Sequence, residues 1–154
     1  MVGPYRTGKS YLLNRLMNRQ AGFEIGGTVQ SCTKGLWIWG QPIKVRENLS
    51  VLLLDTEGLN SINRNQHTDV KIFTLSLLLS SLFVFNSLNA IDERALESIG
   101  LVVNLSKQIH VYQKPKHSKE EDMLVAKYVP HFLWVIRDFA LKLQDNLGRP
   151  IDER

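Results

Sequence analysis

Residues 3–10, GPYRTGKS, have the spacing of a loop that binds phosphate groups. The pattern is a glycine, four residues, then glycine, lysine and a hydroxyl side chain, and Gly3, Gly8, Lys9 and Ser10 fill it. Glycines let successive backbone N–H groups turn inward around phosphate oxygens, and the N-terminus of the following helix adds its dipole. Lys9 would then bridge the β- and γ-phosphates of a nucleotide, and Ser10 would ligate Mg²⁺. A surface turn before a helix would fit the same residues, but motifs downstream weigh against it.

The second segment, VLLLDTEG at 51–58, is an apolar strand that ends in an acid and a glycine three residues later. In GTPases with a phosphate loop, such an acid contacts Mg²⁺ through water and the glycine N–H meets the γ-phosphate. Asp55 and Gly58 take those places. Alone, the pattern is common and indicates only a strand followed by a turn. Downstream of Lys9 it supports the nucleotide site.

Thr33 lies in the long loop AGFEIGGTVQSCTKG, which precedes the apolar segment LWIWG. A threonine in this loop is the usual second Mg²⁺ ligand of GTPases and holds the loop while the γ-phosphate is present. Local sequence alone would favour a solvent-exposed threonine. Its position between the other two motifs favours the metal ligand, so Ser10, Thr33 and Asp55 form the predicted metal set.

Arg137 and Asp138 follow the apolar run FLWVI. A carboxylate in this place can accept hydrogen bonds from both N1–H and the 2-amino group of guanine. Adenine offers neither donor and presents an acceptor at N1, so it would leave the carboxylate unpaired. An ion pair at the end of a strand explains the two residues equally well, and an ATPase would make Asp138 incidental.

The elements that must position these residues alternate between strands and helices. This order predicts an α/β fold with a largely parallel sheet, whose functional residues lie just past the carboxyl ends of the strands. The two neighbouring strands at 36–43 and 49–55 are expected to pair as an antiparallel hairpin. The predicted helices cover residues 10–18, about 70–80 and about 91–109, and the predicted strands cover 36–43, 49–55, 82–86 and 132–139.

Composition is that of an ordinary globular domain. The chain has 154 residues, of which 44% are hydrophobic and 22% charged, and its net charge is +4. The basic residues are scattered, which favours a nucleotide ligand over nucleic acid. Cys32, the single cysteine, excludes an internal disulfide. No signal peptide, lipid anchor or apolar stretch of membrane-spanning length is evident, so a cytoplasmic protein is expected.

Taken together, these segments resemble the guanylate-binding proteins, large GTPases of the dynamin superfamily. They run in the order of that family and cover almost the whole chain. The form DTEGL favours this branch over the related atlastins, which usually carry glutamine in place of Glu57. The segments that carry the resemblance are GPYRTGKSYLLNRL, GGTVQSCTKGLWIW, LLLDTEGL, LLLSSLFVFNSLNAIDERALESI and FLWVIRDFALKL.

The resemblance implies a P-loop NTPase three-layer fold and Mg²⁺-dependent hydrolysis of GTP to GDP. Arg6 would act in cis as an arginine finger, Ser31 would help to position the attacking water, and Glu57 would belong to the same hydrogen-bond network. Lys9 and Thr33 complete the implied catalytic set. The implied nucleotide-binding residues are Gly3, Tyr5, Arg6, Thr7, Gly8, Lys9, Ser10, Tyr11, Asp55, Gly58, Arg137 and Asp138.

The resemblance also implies partners and domain limits. Nucleotide-dependent homodimerisation through the nucleotide-binding face is expected, and membrane association is a property of the full-length family. Residues 1–154 correspond to a single partial GTPase domain: only Met1 and Val2 stand for the strand before the phosphate loop, and the family's last strands and C-terminal helical domain are absent. A nucleotide-binding or scaffolding module without turnover is therefore the alternative. Cys32, where relatives often have histidine, is expected to be a small loop residue rather than a reactive thiol.

Overall fold

The computed structural model describes residues 1–27, 32–59, 66–91, 93, 95–97, 99–100, 104 and 130–151. These residues form a mixed α/β fold, but helices and strands do not alternate strictly as the sequence predicts: four strands lie between α1 and α2. The predicted helix at about 91–109 falls largely outside them. In chain order the elements are α1 (Lys9–Leu16), β1 (Leu36–Ile38), β2 (Ile43–Arg46), β3 (Leu49–Val51), β4 (Leu54–Thr56), α2 (Gln66–Leu79), β5 (Leu82–Leu88) and β6 (His131–Arg137).

Strands β5 and β6 form a parallel pair over seven residues, from Leu82 opposite His131 to Leu88 opposite Arg137. The apolar side chains of β5 pack against α2, where Phe73 meets Phe83 edge to face at 5.1 Å between ring centroids. Such aromatic pairs add to the free energy gained by burying their area. The hydrophobic core that results contains Val2, Leu59, Phe73, Leu77, Phe83, Phe85 and Ala95, with Trp134 packed against it.

The remaining strands pair antiparallel, which confirms the predicted hairpin arrangement. β1 pairs with β4, and β2 pairs with β3. The single strand predicted at 36–43 is divided, because the chain bends at residues 40–41 and Pro42 has no N–H to offer a ladder. The strand predicted at 49–55 is likewise divided between β3 and β4.

The first residues of the chain join the sheet fragments. On one side, Val2 pairs in parallel with β5: its N–H donates to Val84 O at 2.8 Å and its carbonyl accepts from Asn86 N at 2.7 Å. On the other side, Tyr5 N donates to the carbonyl of Leu59, just past β4, at 2.9 Å. Val2 is fully buried. The segment that leads into the phosphate loop therefore lies between β5 and the end of β4.

No helix in the described part of the chain combines the length and apolar character that a membrane crossing requires. The cytoplasmic location expected from the sequence stays a prediction.

Candidate functional site

The phosphate loop ends where α1 begins, at a residue with left-handed backbone geometry. Gly8 has φ +73° and is the N-cap of α1, and no side chain in the described part of the chain caps this helix end. The first turn of α1 carries no acidic residue. The first N–H groups of a helix have no intrahelical partners and lie at the positive end of its dipole, so this end of α1 suits an anion.

Lys9 is the cation of the loop and folds back over it. Its ammonium group donates to the carbonyls of Gly3 at 3.2 Å and Pro4 at 2.9 Å, and the residue is 6% exposed. Burial lowers the pKa of Lys9 to about 8, although Asp55 and Glu57 partly oppose the shift. Lys9 is therefore a buried cation held close to where phosphates would bind.

The three predicted metal ligands meet in one place. The Ser10 hydroxyl donates to Asp55 Oδ2 at 2.6 Å, and the Thr33 hydroxyl donates to the same oxygen at 3.2 Å. The two hydroxyl oxygens lie 3.3 Å apart. Asp55 is fully buried, and its other oxygen, Oδ1, has no hydrogen-bond partner in the described part of the chain.

This oxygen cluster fits Mg²⁺. Magnesium prefers hard oxygen ligands and is commonly held by one or two carboxylates together with substrate phosphates. A buried carboxylate oxygen without a partner is costly unless another group satisfies it. A magnesium ion could satisfy this oxygen, Oδ1 of Asp55, and the hydroxyls of Ser10 and Thr33 would be its further ligands.

Glu57 secures the loop that carries Thr33. Its carboxylate accepts from Gly35 N at 2.9 Å, while its own N–H donates to Gly35 O at 2.8 Å. The residue is 5% exposed. Glu57 thus fastens the chain two residues beyond Thr33 to the end of β4, which holds that threonine beside Asp55.

Gly58 lies where the chain after β4 passes the phosphate loop. A β-carbon at Gly58 would stand 2.3 Å from Tyr5 Cα, so only glycine permits this approach. The next residue, Leu59, is buried in the hydrophobic core. Leu59 therefore packs in that core and does not line the cavity.

Arg6 is the exposed arginine inside the loop. Its φ is +60°, and its Nε donates to the Tyr5 hydroxyl at 3.3 Å, with the guanidinium 5.6 Å from the centre of the Tyr5 ring. Ser31, the residue expected to position water, lies outside the described residues. The structure therefore places Arg6 at the loop but says nothing of its predicted companion.

Arg137 and Asp138 lie at the end of β6. Arg137 Nη1 donates to the carbonyls of Thr7 at 3.1 Å and Gly8 at 3.4 Å, and its guanidinium lies 5.8 Å from the centre of the Tyr11 ring. Asp138 is exposed with φ +54°. The two side chains do not pair with each other, so the ion-pair interpretation of this motif is not supported.

A cavity of about 240 Å³ opens beside the loop. Glu24, Ile25 and Gly26 contribute to its wall, as does Cys32. A hydrogen bond with the Glu24 side chain raises the pKa of the Cys32 thiol, which opposes a reactive thiolate. The predicted site residues that line the cavity are Tyr5, Arg6, Gly8, Lys9, Ser10, Tyr11, Thr33 and Gly58.

Two supporting asparagines were not predicted. Asn86, fully buried on β5, donates from Nδ2 to Thr7 O at 2.9 Å. Asn14 on α1 exchanges two hydrogen bonds of 2.8 Å with the backbone of Phe23, at the start of the long loop. For Asn86, the sequence signal is a polar residue at the end of the apolar strand LFVFN, because a buried amide requires hydrogen-bond partners.

The chain is similar to known proteins along almost its whole length. Residues 1–153 match the family described as "Guanylate-binding protein, N-terminal domain". The chain is 46% identical to guanylate-binding protein 3 of Mus musculus, over 99% of this chain and 25% of that protein. It is 45% identical to guanylate-binding protein 4 of Homo sapiens, over 99% and 24%, and 41% identical to guanylate-binding protein 1 of Chlorocebus aethiops, over 98% and 26%. The chain thus spans about a quarter of the length of these relatives.

Proposed function

Because the chain belongs to the guanylate-binding protein family, we propose that it binds GTP with Mg²⁺ and hydrolyses it to GDP and phosphate. We propose with it that residues 1–154 form a GTPase domain of the P-loop NTPase three-layer type. The observation that carries the proposal is the cluster of Ser10, Thr33 and Asp55 beside Lys9, in which one buried carboxylate oxygen has no partner among the described residues.

The binding step would use residues of the phosphate loop and of the oxygen cluster. The N–H groups at the start of α1 and the Lys9 ammonium would receive the phosphates, and Lys9 would exchange the carbonyls of Gly3 and Pro4 for phosphate oxygens. Ser10, Thr33 and Asp55 would hold Mg²⁺, which neutralises negative charge on the phosphates when bound. The Asp138 carboxylate would read guanine by accepting from N1–H and the 2-amino group.

The hydrolytic step needs a cation where charge develops and a group that holds water. Arg6 is exposed on the cavity wall and has a flexible side chain, so it could turn from Tyr5 to the γ-phosphate. Electrostatic stabilisation of this kind is usually the largest contribution to phosphoryl transfer. Ser31 would position the attacking water, and Glu57 would hold the Thr33 loop in register. Both roles are proposals from family membership.

Release of phosphate from GTP by the purified chain tests the proposal directly. We expect steady release that requires Mg²⁺ and stops when a chelator is added. Saturable binding of a fluorescent GTP analogue without release would instead support a nucleotide-binding module. Competition by unlabelled ATP and GTP tests which base the site prefers. Stronger competition by ATP would contradict the assignment of guanine recognition to Asp138.

Substitution of Arg6 tests the catalytic cation. Arg6→Ala should leave GTP affinity within about threefold of the parent and lower turnover at least tenfold, because an arginine finger is worth about 10³ or more in rate. The matched control is Arg15→Ala, which removes an exposed arginine from α1 outside the cavity wall and should leave turnover unchanged. Equal turnover in Arg6→Ala and the parent would refute the role.

We also propose that GTP-loaded chains associate through the face that carries the cavity, as family membership suggests. Light scattering of the eluted chain, with and without a slowly hydrolysed GTP analogue, measures this directly. A dimer that forms only with the analogue is the expected result, and a monomer under both conditions would contradict it.

A further inference from the structure

Arg137 joins the last described strand to the phosphate loop. Its Nη1 donates to the carbonyls of Thr7 and Gly8, residues about 130 positions earlier in the chain. The approach is close, since a β-carbon at Gly8 would stand 2.5 Å from that nitrogen. Its guanidinium also faces the ring of Tyr11, in the first turns of α1. Arg137 therefore contacts the loop that surrounds the phosphates.

A second strand contributes to the same contact. Asn86 on β5 donates from Nδ2 to the Thr7 carbonyl at 2.9 Å, so that one carbonyl accepts from two side chains. β5 and β6 are hydrogen-bonded neighbours, and they hold both donors on a common framework. The orientation of the Thr7 peptide is thus fixed by the parallel strands rather than by the loop alone.

The consequence for ligand binding follows from peptide geometry. In a trans peptide the C=O and N–H groups point in opposite directions. When the carbonyl of Thr7 is held towards Arg137, the N–H group of Gly8 is directed away from it. The Gly8 carbonyl also accepts from Leu12 N at 2.9 Å, so Arg137 and the first turn of α1 together orient the N–H group of Lys9. Gly8 and Lys9 line the cavity, so these donors are oriented for an anion before it arrives.

We propose that Arg137 is a positioning residue for the triphosphate: it acts through the loop carbonyls and strengthens binding of the phosphates of any nucleotide, whatever the base. This inference rests on the proposed nucleotide-binding function and deepens it. It divides the Arg137-Asp138 pair into two roles, with Arg137 serving the phosphates and Asp138 the base.

A ligand without a base separates these roles. Inorganic tripolyphosphate with Mg²⁺, GTP and ATP would each compete against a fluorescent GTP analogue on the full chain. Arg137→Gln should weaken tripolyphosphate and GTP by a similar factor, about tenfold for the loss of charge-assisted hydrogen bonds to the loop. The ratio of GTP to ATP affinity should stay unchanged. Asp138→Asn should do the opposite, lowering that ratio and leaving tripolyphosphate unaffected.

Two further variants control for charge and folding. Arg149→Gln removes the same charge from an exposed pair with Asp145, 2.8 Å from Nε to Oδ2, and should bind all three competitors as the parent does. Arg137→Lys keeps a cationic N–H donor and should stay within about threefold of the parent. Circular dichroism melts confirm folding, and if Arg137→Gln is unfolded, Arg137→Lys alone decides the matter.

The outcomes separate this inference from the proposed function. A folded parent that binds no GTP refutes the proposed function and the inference with it. A parent that binds GTP, with Arg137→Gln retaining parental tripolyphosphate affinity or losing its preference for GTP over ATP, refutes the inference only. Failure of a folded Arg137→Lys to restore tripolyphosphate binding also overturns it.

Discussion

Burial of the charged Lys9 side chain lowers the stability of the protein without a bound ligand. Burial disfavours its charged form, and the pKa of its ammonium falls from 10.5 to about 8. The carbonyls it bonds do not depend on it, because Gly3 O also accepts from Leu59 N and Pro4 O also accepts from the Thr7 hydroxyl. Lys9 therefore destabilises the empty site at neutral pH, as expected of a cation placed to meet an anionic ligand.

Replacement of Lys9 by methionine should stabilise the ligand-free chain and abolish triphosphate binding. We expect the free energy of unfolding at pH 7 to rise by about 2 kcal/mol, since the penalty on the buried charge is removed. The pH dependence provides a second measurement. Between pH 8 and 10.5 the folded parent loses the proton while the unfolded chain keeps it, so parental stability should rise with pH.

Urea titrations of both chains from pH 7 to 10 would measure this. The rise attributable to Lys9 should be missing from Lys9→Met, and the two stabilities should approach each other near pH 10. If Lys9→Met is less stable than the parent at pH 7, or retains the same rise, the burial penalty is not the dominant effect at this residue.

At the scale of elements, the phosphate loop is positioned by backbone pairing on both flanks. Val2 pairs with β5 on one side, while Leu59 N donates to Gly3 O at 3.1 Å on the other. Gly58 allows the second contact, because the backbone of Tyr5 lies against it. The spacing between Ser10 on α1 and Asp55 on β4 depends on this approach.

Gly58→Ala should therefore separate the phosphate loop from β4. The added methyl would meet Tyr5 Cα at 2.3 Å, and backbone cannot yield as a flexible side chain does. We expect the free energy of unfolding to fall by about 2 kcal/mol or more, as in other overpacked sites, and Mg²⁺-dependent nucleotide binding to weaken.

The matched control for this substitution is Gly40→Ala. A β-carbon at Gly40 meets no atom of the described residues within 4 Å, so stability should change by no more than about 0.5 kcal/mol. Urea unfolding of the three chains compares them. Equal stability of Gly58→Ala and the parent would show that the loop and β4 can move apart freely.

Most helices and strands were predictable from the sequence, but the backbone pairings and turns that connect them were not. Apolar runs located β5 and β6 to within a few residues, and the residues after the phosphate loop located α1, because these signals are local. The apolar run at 49–55 did not separate β3 from β4. The pairing of Val2 with β5 had no such signal, since two residues carry no periodicity. The division between β1 and β2 depended on turn chemistry at Pro42, which the continuous apolar pattern concealed.

Across the whole molecule, the candidate site also contains contacts that the sequence predicts and contacts that it does not. Motif spacing predicts that Ser10, Thr33 and Asp55 lie together, and their side chains are in contact. That they ligate one cation stays a prediction. The contacts of Asn86 and Arg137 with Thr7 were missed, since hydrogen bonds to a backbone carbonyl leave no mark on the identity of the acceptor residue. Such contacts become visible only when the strands are in register.

The predicted nucleotide site draws on residues from 3 to 138, so a bound nucleotide should stabilise the chain as a unit. A ligand that binds only the folded state adds about 2.7 kcal/mol at a hundred times its Kd. For a chain of this size that corresponds to a rise in Tm of about 5–10 °C. A slowly hydrolysed GTP analogue with Mg²⁺ should produce this shift in a thermal melt, and the corresponding ATP analogue should produce less.

Asp55→Asn should lose most of the shift, because the substitution removes the carboxylate from the metal cluster. An equal shift in Asp55→Asn and the parent would mean that the nucleotide binds without the metal cluster, and no shift in the parent would mean that it does not bind the folded chain.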